Sequence, residues 1–196
     1  MARAARRRGA HRGAGVELRE DALLGLSLLR PTAPDERIDE EAFERDEFLP
    51  YWAELWPASL ALAVSLPDVA GLRVCELGCG LGLPSLVAAR RGADVTATDW
   101  APEAIDLLRV NAGRNGLVLR GEVRDWREPW AERFDLVLAA DVLYEQRNVE
   151  PLLEQLQALA PVALVGLAGR PHEGEFLRCA GAHEEVAPRV VRIQSP

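Results

Sequence analysis

Along the middle of the chain, short apolar runs alternate with longer segments of mixed polarity, and Gly, Pro or Asn stands at most of the junctions. Arg73–Leu77 and Asp94–Thr98 read as strands. Between and after them, Pro84–Arg91 ends at Gly92 and Pro102–Ala112 ends before Asn115-Gly116, each a helix with proline at its start. Leu117–Val123, Phe134–Ala140 and Val162–Leu167 add three apolar strands, with a helix at Pro151–Ala160 between the last two. Upstream, Pro57 followed by Ser59–Ala63 predicts a short helix that Pro67 closes. Downstream, Glu173–Ala180 reads as a helix capped by Gly181, and His183–Val186 with Arg189–Ile193 as an antiparallel pair covering the sheet edge. The repeated βα alternation predicts an α/β fold: a Rossmann-like, doubly wound, mostly parallel seven-stranded sheet with helices on both faces and an antiparallel C-terminal edge.

The chain before Tyr51 is less regular. The run Leu23–Leu29 fits strand or helix, and Pro31, Pro34 and the acidic stretch Asp35–Glu47 follow it. Residues 16–49 are therefore read as an N-terminal extension and 50–196 as one domain, which about half apolar content is enough to give a full core. Arg3, Arg6, Arg7, Arg8 and Arg12 make residues 1–15 a basic tail without acids, expected to be disordered. Against a net charge of -8, that tail leaves an acidic body, which argues against a nucleic-acid partner. No apolar run is long enough for a membrane segment, and the odd set Cys75, Cys79 and Cys179 fits a reducing, cytoplasmic setting without a disulfide framework or a metal site. All 23 basic residues are arginine, so the chain has no lysine of its own to modify.

The densest chemical signal lies where the first strand of the alternation meets its helix. Glu76-Leu77-Gly78-Cys79-Gly80-Leu81-Gly82 places glycines at alternate positions, letting a ligand approach the backbone. A dinucleotide loop would run G-x-G-x-x-G, but Leu83 occupies the third glycine position. Glu76 would repel a pyrophosphate and attract an ammonium. That sign of charge points to S-adenosylmethionine and away from NAD. Seventeen residues after Gly82, Asp99 closes the next strand beside Trp100, where a Rossmann-type sheet offers a carboxylate to ribose hydroxyls; capping of the following helix is the alternative. Asp125-Trp126 follows the third strand and would flank an adenine, or form a surface turn. Asp141 and Tyr144 leave the fourth strand on the ligand-binding rim, with core packing the other reading for the tyrosine. Tyr51, Trp52 and Trp56 form an aromatic cluster that could pack in the core or cover a cofactor. His172 and His183 lack partners for a nucleophilic triad.

Taken together, Leu55-Trp56-Pro57, Glu76–Leu83, Asp99, Asp125-Trp126 and Asp141-Val142-Leu143-Tyr144 resemble the seven-β-strand, class I methyltransferases of the protein-lysine group. The stretch Pro50–Pro57 is more similar still to the electron-transfer-flavoprotein β-subunit lysine methyltransferases and their bacterial relatives. The resemblance covers about residues 50–160. It implies that Trp56, Gly78, Cys79, Gly80, Asp99, Trp126 and Ala140 touch the cofactor, and that Asp141 and Tyr144 line the acceptor channel. A protein substrate is the expectation. A small-molecule N- or O-methyltransferase and a non-catalytic cofactor-binding module are the alternatives, because residues 168–196 lack the long hairpin with which the group shapes acceptor choice.

Overall fold

The computed structural model describes residues 17–32, 51–128 and 130–195. The basic tail 1–15 and the acidic stretch Asp35–Glu47 lie outside the described residues. In chain order the described elements are β1 (Leu18–Leu23), β2 (Leu26–Pro31), a single 3-10 turn (Tyr51–Ala53), α1 (Pro57–Ser65), β3 (Arg73–Leu77), α2 (Leu83–Arg90), β4 (Asp94–Asp99), α3 (Pro102–Arg114), β5 (Arg120–Val123) and β6 (Leu136–Ala140). A 3-10 turn (Gln146–Asn148), α4 (Val149–Leu159), β7 (Val162–Gly166), α5 (Glu173–Ala180), β8 (His183–Ala187) and β9 (Val190–Gln194) follow.

Strands β3 to β9 form one sheet in the order β5-β4-β3-β6-β7-β9-β8, parallel from β5 to β7 and antiparallel at β9 and β8. Because the central strands β3, β6 and β7 are buried on both faces, they read as apolar runs, and alternate residues serve opposite layers. Val74, Leu136, Leu138 and Leu164 pack with α1, α2 and α3. Cys75, Leu77, Val137, Ala139 and Val165 pack with α4 and α5 on the other face. β3 and β6 are parallel, but the order in which strands are added switches from one side of β3 to the other there, which opens a crevice at their carboxyl ends.

Three local readings change. The fifth strand is shorter than Leu117–Val123, because Gly116 turns the chain and the Leu117 N–H closes α3 on the Ala112 carbonyl before pairing with β4 begins at Arg120. α4 starts at Val149, so Pro151 lies in its first turn, where a missing N–H costs nothing. The ambiguous run Leu23–Leu29 is a hairpin: β1 and β2 turn through Leu24-Gly25, both with positive φ. A two-stranded hairpin is marginal alone. Here Asn111 on α3 and Asn115 at its C-cap supply the missing neighbour, each side chain accepting from and donating to the backbone of Leu29 and Ser27 respectively. Leu26 and Leu28 thereby enter the main core.

Candidate active site

The crevice is an open cleft of about 580 Å³ counted out to open solvent. β3, β4 and β6 deliver its floor. The loop from β3 to α2 holds Gly78, Gly80 and Gly82 all at positive φ. At Gly78 a Cβ would stand 2.8 Å from the Trp126 ring and 2.9 Å from Val142, so glycine brings the loop against the cleft wall. At Gly82 it would stand 2.2 Å from Leu108 of α3. Gly82 therefore fits helix packing and does not line the cleft.

Glu76 is almost fully buried at the strand end, and its Oε2 accepts bonds from the N–H and the hydroxyl of Ser85 in the first turn of α2. Burial pushes its carboxyl up to about 8, against the pull of both Ser85 bonds. Asp99 accepts the Gly80 N–H at 2.8 Å and the Ala101 N–H at 2.9 Å, and burial pushes it up to about 6. It thus ties the glycine loop to the start of α3. Cys79, whose thiol burial also pushes well up, stays protonated and unreactive. Trp126 packs against the loop with its indole N–H buried and without a partner among the described residues.

On the acceptor side, Asp141 sits at φ 56°, a left-handed conformation that Asp tolerates better than most residues, with a carboxylate about 1% exposed. Arg170, in the loop between β7 and α5, binds it with both arms: Nε donates to Oδ1 at 2.7 Å and Nη2 to Oδ2 at 2.9 Å. The same guanidinium stands 5.3 Å from the centre of the Trp56 ring. Tyr51 bridges Trp56 and Tyr144, at ring distances of 6.2 and 5.3 Å, and its carbonyl accepts the Trp56 indole N–H. Burial pushes the Tyr144 hydroxyl up to about 12, which leaves it a donor and wall and not a base.

Of the residues expected at the site, Trp56, Glu76, Gly78, Cys79, Gly80, Asp99, Trp100, Trp126, Ala140, Asp141 and Tyr144 line this cleft together. Asp125 does not. It lines an adjoining recess with Trp100, Trp126 and Tyr144, and its carboxylate is engaged by the Arg127 side chain and N–H, which hold it below the usual range. The sequence reading missed Arg170 and Ser85. A lone arginine 29 residues from its partner carries no periodic signal, and Ser85 has no motif around it.

Residues 52–175 match the family model described as lysine methyltransferase. The chain belongs to that family. It is 36% identical over 121 residues to the zebrafish (Danio rerio) protein N-lysine methyltransferase METTL21A, a match covering 55% of each chain. To the zebrafish electron transfer flavoprotein beta subunit lysine methyltransferase it is 34% identical over 131 residues, covering 62% of this chain and 51% of that one. It is also 38% identical over 104 residues to the magnesium-protoporphyrin O-methyltransferase of Rhodobacter capsulatus, covering 50% and 45%. The chain thus spans about half the length of the curated relatives it matches. Its fold is that of the SAM-bound magnesium protoporphyrin IX methyltransferase of Synechocystis, with a TM-score of 0.61 at 17% identity over 83% of this chain and 97% of that one. Among the described residues, no helix is long and apolar enough to cross a membrane.

Proposed function

We propose that the chain is an S-adenosylmethionine-dependent methyltransferase that transfers the methyl group to a lysine amine of another protein. The observation that carries this is the position of Asp141 and Tyr144, at the carboxyl end of β6 in the same cleft as the glycine loop and Asp99. The cleft suits the cofactor chemically: Glu76 and Asp99, both on its lining, would face the cofactor's cationic amino group and its ribose hydroxyls. Bound there, the cofactor supplies an electrophilic methyl carbon, to which the amine nitrogen bonds as the carbon–sulfur bond breaks.

The protein's own part is positioning and electrostatics. A lysine arrives with a pKa of about 10.4 and must shed a proton to solvent before its lone pair can attack. Desolvation between Trp56, Tyr51 and Tyr144 favours the neutral amine. Asp141 can accept one N–H and aim the lone pair.

A small-molecule acceptor is the second reading, favoured by the 38% identity to an O-methyltransferase acting on a porphyrin. Incubation with methyl-labelled cofactor and a cell lysate separates the two. Label in acid-hydrolysed methyllysine supports the first; label confined to small molecules refutes it.

A further inference from the structure

The feature that the methyl-transfer scheme does not absorb is the two-armed pair between Arg170 and Asp141. Arg170 is presented by a pinned loop. The Leu167 N–H bonds the Arg189 carbonyl at 2.7 Å, the Arg189 guanidinium bonds the Ala168 carbonyl at 3.2 Å, and the N–H groups of Ala168 and Gly169 bond the Glu173 carboxylate at 2.6 and 2.9 Å. Its guanidinium is further steadied over the Trp56 ring. This is fixed geometry at the acceptor rim.

The charged groups around the pair are mostly acids, with Arg189 bonded to the same loop and Arg127 and Arg147 beyond Tyr144 as the bases. Glu54 and the Tyr51 hydroxyl lie on the segment before α1, Glu76 ends β3, Asp99 ends β4, Tyr144 and Glu145 follow β6, and Glu173 begins α5. A bare, buried carboxylate at Asp141 would bind a lysine side chain best as the ammonium, the form with no lone pair to donate. Paired with Arg170, the same carboxylate keeps lone pairs free to accept an N–H but presents little net charge.

We propose that Arg170 is a positioning residue that neutralises Asp141, so that the acceptor amine is aimed without being held as its ammonium. The inference rests on the amine-methyltransferase reading above. It makes Arg170 the residue that sets the pH at which the acceptor reacts.

The test uses the full chain saturated with S-adenosylhomocysteine, with n-butylamine as a lysine side-chain probe followed by calorimetry near pH 7. Arg170→Gln should bind the butylammonium ion about tenfold more tightly than wild type, the effect of one uncompensated carboxylate close by. Arg170→Lys should stay near wild type. The double variant Asp141→Asn/Arg170→Gln should lose the gain. In parallel, label transfer into lysate protein by Arg170→Gln should have its acid limb displaced by about one pH unit toward alkali, with S-adenosylhomocysteine affinity kept within about threefold. Unchanged butylammonium affinity overturns the proposal, as does a rate lowered equally at every pH. Faster transfer by Arg170→Gln at neutral pH also overturns it, because Arg170 would then be an occupant of the channel. If wild type labels no protein lysine, the underlying reading fails, whereas the butylammonium comparison still decides how Arg170 acts on Asp141.

Discussion

Replacing Glu76 by Gln removes a buried acid while keeping an acceptor for Ser85, and the consequence is a pH-dependent gain in stability. In the fold, burial raises the Glu76 carboxyl from 4.5 to about 8. A carboxyl that binds its proton more tightly when folded contributes stability that is fully present below about pH 4.5 and lost as pH rises through about 8. At 1.36 kcal/mol per pH unit the loss approaches ~5 kcal/mol, a large share of the stability of an ordinary domain. Glutamine has no proton to lose, so the variant escapes this penalty. Urea unfolding of both proteins without cofactor, from about pH 5 to about pH 9, measures the difference directly. Asp99, pushed up to about 6, titrates in both proteins, and it enters the difference only because its charge helps to raise Glu76. Stability of the variant minus that of wild type should climb from about pH 5 to about pH 8 and level off above it. A difference that stays constant across that range refutes the claim that Glu76 is held protonated at neutral pH.

Asp99→Ala removes the acceptor of the Gly80 and Ala101 N–H groups and the proposed ribose contact, so S-adenosylmethionine affinity by calorimetry should fall about tenfold or more, from lost bonds of roughly 1.5–3 kcal/mol. Gly82→Ala drives a Cβ into Leu108 at positive φ and should cost about 1–3 kcal/mol in denaturant unfolding, whereas Gly113→Ala, in α3 with nothing within 4 Å, should stabilise by about 0.5–1 kcal/mol. Asn111→Ala strips two bonds from the Leu29 backbone and should cost about 1–3 kcal/mol, with amide exchange rising first in β1 and β2. Asp141→Asn and Tyr144→Phe should lower methyl transfer into lysate protein while leaving cofactor affinity within a few-fold, a change of ~1 kcal/mol or less.

The central sheet was legible because its strands are buried on both faces: runs such as Leu136–Ala140 are apolar throughout, and a helix such as Leu83–Arg90 carries proline near the start and has Gly92 after the end. The hairpin β1-β2 was not, since Leu24-Gly25 lacks the Asn-Gly signature of its turn and its docking partners, Asn111 and Asn115, lie more than 80 residues away. The same distance effect divides the candidate site. Local sequence located the glycine loop and the carboxylates at the carboxyl ends of β3, β4 and β6, but a carboxylate in sequence says nothing about what engages it. Asp125 is taken by Arg127, and Asp141 by Arg170.

That difference alters the electrostatic argument from which the cofactor was first inferred. In sequence, Glu76 counts as a negative charge that repels a pyrophosphate and attracts an ammonium. In the fold it is a neutral acid near pH 7, because burial outweighs the two Ser85 bonds. The repulsion of a pyrophosphate goes with the charge: a protonated Glu76 does not repel one and has an O–H to donate. The attraction becomes conditional. An ammonium placed beside Glu76 favours ionisation, so the proton leaves as the cation enters, and the two events share one free energy. Glu76 then favours a cation without holding a costly bare carboxylate in the empty cleft. Asp99, raised only to about 6, is ionised near pH 7 and supplies the standing negative charge that the sequence reading assigned to Glu76.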